Sequence, residues 1–275
     1  MTDVRTEGAP ATARPNPQGD FIWYELMTPD PDGAKAFYDA VVGWEISGEG
    51  PAEYNGYRMI GRSDGKFAGG LLPLTPEMQQ HGARPTWLGY VYVPDVDETI
   101  ASIEAAGGKA LMPATDVPNV GRIAMVADPQ GAPFYVMKPI PPEADPNAQS
   151  DVFSTTAQQR VNWNELSTSN PAAARRFYGE QFGWDSAEFM PMGEMGDYRF
   201  IDHHGQRLGA LCGTMPGQQS RWRYYIRVPS IAKAKELVEG NGGTVAMGPH
   251  EVPTGDWILI GTDPQGAEFA LVGGK

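Results

Sequence analysis

FIWYEL (residues 21–26) returns as VNWNEL (residues 161–166), with Trp23 matched by Trp163 and Glu25 by Glu165. An acidic residue inside a strand-like run, twice, and each time two places after a tryptophan, marks the chain as a repeat. The match extends outward. WYELMTPDPDGAKAFYDAVVGW (23–44) aligns with WNELSTSNPAAARRFYGEQFGW (163–184), and GGKALMPATDVPNVGRIAMVADPQGAPF (107–134) with GGTVAMGPHEVPTGDWILIGTDPQGAEF (242–269). The offset between the copies changes near 50–57 and 73–86, Gly- and Pro-containing stretches where a loop tolerates length change. The 275-residue chain therefore divides into two homologous domains, 20–140 and 160–275. Residues 1–19 are expected to form a disordered tail and the Pro-rich stretch 141–159 a linker.

Within each copy the pattern is strand, helix, then three strands, written twice. FIWYEL is stopped by Thr28-Pro29, as expected of a strand. Asp30-Pro31 and Asn170-Pro171 then supply an N-cap followed by proline at the first helical position, and Gly43 and Gly183 sit where a helix ends. Asp95 and Glu98 offer a capping box for a further helix that closes at Gly107-Gly108, and D-P-Q-G at 128–131 makes a turn. The prediction is an α+β chain of four βαβββ modules.

Composition narrows the partners. With 41% hydrophobic and 20% charged residues the chain is globular in type, and no apolar run approaches the roughly 20 residues of a membrane span. A formal charge of −13 argues against nucleic acid or an anionic membrane, leaving a small molecule, a protein or a second copy of the chain. The polar N-terminus lacks the apolar core of a secretory signal, and the single cysteine, Cys212, permits no intrachain disulfide, so a cytoplasmic location is expected.

The W-x-E-L-x-T start, the A-x-x-F-Y-x-x-x-x-G-W helix end and the closing D-P-x-G-A-x-F, present twice and in order, resemble the glyoxalase, bleomycin-resistance and extradiol-dioxygenase superfamily, also called the vicinal oxygen chelate fold. The resemblance implies that paired modules curl their sheets into two half-barrel cups, each with a ligand inside. It also implies a divalent metal held by His, Glu or Gln at four strand positions. Those positions fall at Trp23 and Trp163, near Gly70 and Ala210, near Gly89 and Tyr224, and at Tyr135 and Ala270. None is an ordinary ligand for such a metal. The four histidines are His81, His203, His204 and His250; His203-His204 reads as a solvated pair at a hairpin turn, and a rearranged His204–His250 site is the one conceivable alternative. No cofactor is expected.

The repeated, chemically loaded residues are then Glu25 and Glu165, Arg58 and Arg199, and a set of aromatics. Residues i and i+2 of a strand share a face, so Trp23 with Glu25, and Trp163 with Glu165, point together into the cups. The glutamates are the candidate general bases, with Arg58 and Arg199 steadying an anionic oxygen; alternatively each Glu and Arg form a buried ion pair. Trp23, Trp163, Tyr135, Tyr224, Trp87 and Trp222 are candidate ligand-binding aromatics. Arg122, replaced by Trp257 in the second copy, makes the two cups unequal. Two functions follow from the resemblance: a glyoxalase-like lyase, isomerase or dioxygenase, and a binding protein that sequesters an apolar or aromatic compound. A protein-interaction role is preferred if side chains fill the cups.

Overall fold

A computed structural model describes residues 16–193, 196–215 and 217–275. The first half forms one eight-stranded sheet in the order β2-β3-β4-β1-β5-β8-β7-β6. Its strands are β1 (Phe21–Thr28), β2 (Glu45–Ile46), β3 (Arg58–Gly61), β4 (Phe67–Pro73), β5 (Thr86–Tyr92), β6 (Lys109–Val117), β7 (Gly121–Ala127) and β8 (Pro133–Pro139). Helices α1 (Pro31–Val42) and α3 (Val96–Ala105) follow β1 and β5, and a short α2 (Pro76–Gln80) precedes β5. The second half repeats this as β9 (Val161–Thr168), α4 (Pro171–Phe182), β10 (Phe189–Pro191), β11 (Asp197–His203), β12 (Gln206–Gly213), β13 (Arg221–Ser230), α5 (Ile231–Gly240), β14 (Thr244–Glu251), β15 (Trp257–Thr262) and β16 (Glu268–Gly274), with sheet order β10-β11-β12-β9-β13-β16-β15-β14. Four βαβββ modules account for both sheets, and in each sheet two modules meet where β1 or β9 runs antiparallel to β5 or β13.

Local chemistry sets the helix ends. The Asp30 and Asn170 side chains accept the backbone N–H groups of Gly33 and Ala173, and Asp95 accepts that of Glu98. Gly43 and Gly183 close α1 and α4 at φ of 78° and 70°, a left-handed conformation that glycine adopts without steric cost.

One face of each sheet is covered by helices, and the two covered faces merge into a single core containing Tyr24, Phe37, Tyr38, Phe134, Tyr178 and Phe269. Burial of such a side chain contributes about 1.5–3 kcal/mol, so the halves depend on each other for stability. The joint is polar as well as apolar. Tyr38 Oη donates to Asp263 (3.0 Å) in the D-P-Q-G turn of the other half, and Tyr178 Oη to Asp128 (3.1 Å). Where the copies meet, large residues face small ones: Tyr24 donates to Asn164, its own counterpart, and Tyr224 accepts from the backbone of its counterpart Gly89. A Cβ on Gly89 would lie 2.8 Å from the Phe21 ring and 2.9 Å from Tyr224 Oη, so a second ring there has no room.

The expected tail and linker are more tightly held than their composition suggests. Residues 1–15 lie outside the described residues, but Gly19 donates to Tyr92 O and accepts from Trp184 Nε1. The linker is anchored by Asp151, which receives the guanidinium of Arg62, whose side chain is 1% exposed. Val152 is buried, and Ser150 Oγ donates to Ile22 O. Proline-rich, polar composition marks 141–159 as a linker, and the ion pairs of Asp151 with Arg62 and Arg160 fix its end to the domains.

Candidate functional site: two unequal cups

The face of the first sheet turned away from α1 and α3 is cup 1, and Met78 of α2 packs against its residues. Strand alternation sends Trp23, Glu25 and Met27 into it, and register places Trp23 beside Tyr90 and Tyr90 beside Tyr135. Tyr90 and Tyr135 stack with ring centroids 4.2 Å apart and planes 11° apart. Glu25 is 2% exposed. Its Oε2 accepts from Tyr90 Oη at 2.7 Å, whereas its Oε1 is buried with no partner at hydrogen-bond geometry among the described residues, although the Tyr57 and Tyr135 hydroxyls lie close enough to act on the carboxyl. Trp23 Nε1 donates to Tyr57 Oη at 2.8 Å, leaving the Tyr57 proton free to act on Glu25. Across β5 the residue opposite Glu25 is Leu88.

Burial pushes the Glu25 carboxyl up to about 7, against the weaker opposing pull of the Tyr90, Tyr57 and Tyr135 hydroxyls. Among the described residues the side chains that act on it most are these phenols, not a cation. Burial also raises Tyr57 and Tyr90 well above the usual phenol value, so both remain proton donors at neutral pH. The carboxyl exchanges its proton near pH 7 among three phenols that do not.

Cup 2 repeats the frame with different chemistry. Trp163 Nε1 donates to Tyr198 Oη, which donates to Glu165 Oε2, both at 2.8 Å. Here the residue across β13 from Glu165 is Arg223, whose Nη1 donates to Glu165 Oε1 at 2.7 Å, while its Nε reaches Glu268 at 3.0 Å. Tyr225 adds contacts of 3.3 Å to both carboxylate oxygens. Ala270 stands where cup 1 has Tyr135, and both oxygens of Glu165 are occupied.

The candidates picked from sequence therefore separate. Trp23, Glu25 and Tyr135 converge in cup 1, and Trp163 and Glu165 in cup 2. Arg58 and Arg199 do not: they lie on the helix-covered faces, in register with the core residues Leu71 and Leu211, and pair with Asp32 and Asp197 at 2.7 Å. The expected Glu–Arg pairing is absent at Glu25, and at Glu165 it is made by Arg223. Trp87 and Trp222 belong to the shared core, donating to Tyr38 and Tyr178. Tyr224 is also a core residue; the cup position is its neighbour Tyr225, and Tyr90 rather than Gly89 in the first half. Arg122 is bound to Asp97 of α3 and to Asp116, and Trp257 lies under Lys275, both away from the cups.

Sequence reasoning missed Tyr57, Tyr198, Tyr90, Tyr225 and Arg223. The signal was available in part: Tyr57-Arg58 and Tyr198-Arg199 recur as pairs, and adjacent strand residues face opposite ways, so only one member of each pair can meet the glutamate.

The donor set does not fit a divalent metal. The four cup positions hold Trp23, Gly70, Tyr90 and Tyr135 in one half, and Trp163, Ala210, Tyr225 and Ala270 in the other. Among the described residues no three His, Cys, Asp or Glu side chains come together as a metal site would require. His203, expected to be solvated, is 5% exposed and meets Gln18 O at 2.8 Å. His204 occupies the β11–β12 turn and His250 the opposite edge strand, β14. A cavity of about 410 Å³ opens at the N-terminus of α4, lined by Asn170, Arg175, Asp197 and Arg199 among others; neither cup glutamate reaches it.

Two mixed eight-stranded sheets, each built from a pair of βαβββ modules, define the vicinal oxygen chelate fold, and the chain belongs to the glyoxalase/bleomycin resistance protein/dioxygenase superfamily, whose family model matches residues 21–136. "Putative glyoxylase CFP32" of Mycobacterium bovis is 41% identical over 93% of this chain and 95% of its own length. "Anthracycline biosynthesis protein DnrV" of Streptomyces peucetius is 28% identical over 91% of each. Among solved structures, the Mn(II)-bound glyoxalase from Novosphingobium aromaticivorans superposes with a TM-score of 0.62 at 17% identity, covering 94% of this chain and 82% of that one. The 2,3-dioxygenase LapB from Pseudomonas sp. KL28 gives 0.59 at 15%, covering 94% and 93%. No described helix is long and apolar enough to cross a membrane.

Proposed function

We propose that cup 1 binds a small, apolar or aromatic oxygenated molecule and that Glu25 moves a proton on it, an isomerase- or lyase-type reaction related to that for which glyoxalases are named. The observation that carries this reading is Glu25 Oε1: a buried carboxylate oxygen without a partner, on a group whose proton is exchangeable at neutral pH. In the proposed step the Glu25 carboxylate takes a proton from the carbon beside a carbonyl, and the C–H electrons pass to the carbonyl oxygen as an enolate. The phenols of Tyr57, Tyr90 and Tyr135 are the donors available to that oxygen. The carboxylic acid so formed returns the proton to the same carbon, or, where that carbon bears a hydroxyl whose proton passes to the enolate oxygen, to the adjacent carbon to give the isomeric carbonyl compound. Cup 2, with Glu165 held by Arg223, has no free base.

The test is deuterium exchange at the α-carbon of 2-hydroxyacetophenone in D2O, followed by proton NMR. Wild-type protein and E165Q are expected to catalyse exchange, and E25Q to lose it. Exchange that survives E25Q contradicts the reading. Binding of the ketone without exchange in wild type replaces it with sequestration, the second role the superfamily suggests.

A further inference from the structure

Cup 1 is lined by thioethers in a way that cup 2 is not. Met27 and Met137 share a buried cluster with Tyr90, Tyr135 and Leu74, and Met112, Met125, Ala83 and Met78 of α2 pack against it. Their counterparts in cup 2, at the offsets of the repeat, are Ser167 for Met27, Ile260 for Met125 and Val272 for Met137. Only Met247, 46% exposed, keeps the thioether of Met112. The second half also has no described helix matching α2; the length change near 73–86 is the α2 segment, whose Met78 packs against the cup 1 cluster. Methionine is unbranched and polarisable, so a buried cluster rich in methionine repacks around a guest at lower cost than one of Ile and Val, which are confined to few rotamers.

The charges near the cup exclude one class of guest. Arg58, Arg62 and Arg122 are each committed elsewhere, to Asp32, Asp151 and Asp97, whereas Arg84, next to Ala83 at the end of the α2 segment, donates to the backbone carbonyls of Gln79 and Ala83. Leu88 takes the place that Arg223 has beside Glu165. A carboxylate placed beside Glu25 would be desolvated next to a second carboxyl group, with Leu88 and phenols rather than a cation at that position, an unfavourable arrangement. A hydroxyl would instead supply the donor that Glu25 Oε1 lacks. The parallel rings of Tyr90 and Tyr135 show the shape the cup packs well: a flat ring bearing one hydroxyl beside the glutamate.

We infer that cup 1 is selective for uncharged, flat hydroxy-aromatic molecules, admitted beside α2 by repacking of Met27, Met112, Met125 and Met137, and that it rejects anionic aromatics of the same shape. The inference rests on cup 1 as the ligand site but not on proton transfer by Glu25. It names Leu88 and the methionines as the residues that set specificity.

The test uses the full chain with 13C-methyl methionine, each signal assigned by a single Met→Leu variant, titrated at pH 7 with 2-naphthol and with 2-naphthoate. The expected result is that 2-naphthol shifts the methyls of Met27, Met112, Met125 and Met137, with 2-naphthoate at least tenfold weaker. The double variant M125I/M137V, carrying the cup 2 residues, is expected to weaken 2-naphthol at least tenfold while retaining the wild-type Tm within a few degrees. In the wild-type protein, failure of the exchange assay with intact methyl shifts removes the proton-transfer reading alone. Equal binding of the two probes, shifts confined to Met190, Met192, Met215 and Met247 of the second half, or no shift up to the solubility of 2-naphthol would each overturn the inference.

Discussion

Glu25 and Glu165 occupy matched positions on β1 and β9, each behind a tryptophan and beneath a tyrosine, yet Glu25 faces Leu88 across β5 where Glu165 faces Arg223 across β13. The frame is the same and the chemistry is opposite. In cup 1 a buried carboxyl keeps one oxygen unpaired and its proton exchangeable. In cup 2 both oxygens are taken, by a guanidinium and two phenols. Duplication lets one copy hold an unfavourable, reactive group while the other retains a paired one, and the core shared between the halves supplies the stability that tolerates the first.

The comparison breaks most visibly at Glu25 itself. In the exchange assay E25Q should cost at least about 100-fold in rate, the usual scale of a lost general acid or base, and E165Q less than about threefold. Equal losses would mean that both cups share the chemistry.

Stability should show the reverse ranking. R223L leaves Glu165 buried without its cation and is expected to lower the unfolding free energy by about 3 kcal/mol at pH 7 in urea titration. E25Q, which removes no ion pair, should hold or raise it.

The pH dependence of stability sharpens the contrast. Glu25 has a native value of about 7 against an ordinary 4.5, so between those values the native chain keeps a proton that the unfolded chain has released. Stability from this group is complete below pH 4.5 and lost as pH rises toward 7, at up to about 1.4 kcal/mol per pH unit. Urea titrations of wild type and E25Q across that window should diverge accordingly. L88R, which brings the cation of cup 2 into cup 1, should flatten the slope.

The smallest effect belongs to the indoles. W23F and W163F each remove one hydrogen bond to a tyrosine and should cost about 1 kcal/mol each beyond the lost ring volume, with similar values in the two cups.

Most of the architecture was legible because it is written in strong local signals. Asp30-Pro31 and Gly43 bound a helix whatever surrounds it, and the repeat fixes where the second set begins. The site was legible only in part. Trp23 and Glu25 follow from strand alternation, and their face is decided once the strand is recognised. Arg58 and Trp87 were misplaced because face assignment of a partner strand needs its register, and register depends on contacts distant in sequence: Arg58 lies opposite Leu71, and Trp87 opposite Leu26. Arg223 had no repeated counterpart to draw attention to it. Its importance comes from that difference, since Leu88 holds the matching place. The α2 segment was visible only as an offset change between the copies.

Carbon-13 NMR titration of the glutamate side-chain carboxyls, with the Glu25 resonance identified by its loss in E25Q, tests the central claim most directly. A midpoint near 7 for Glu25 is the predicted result. A midpoint in the ordinary carboxylate range, near 4.5, would mean that Glu25 is solvated or paired in solution and that cup 1 holds no base tuned to neutral pH.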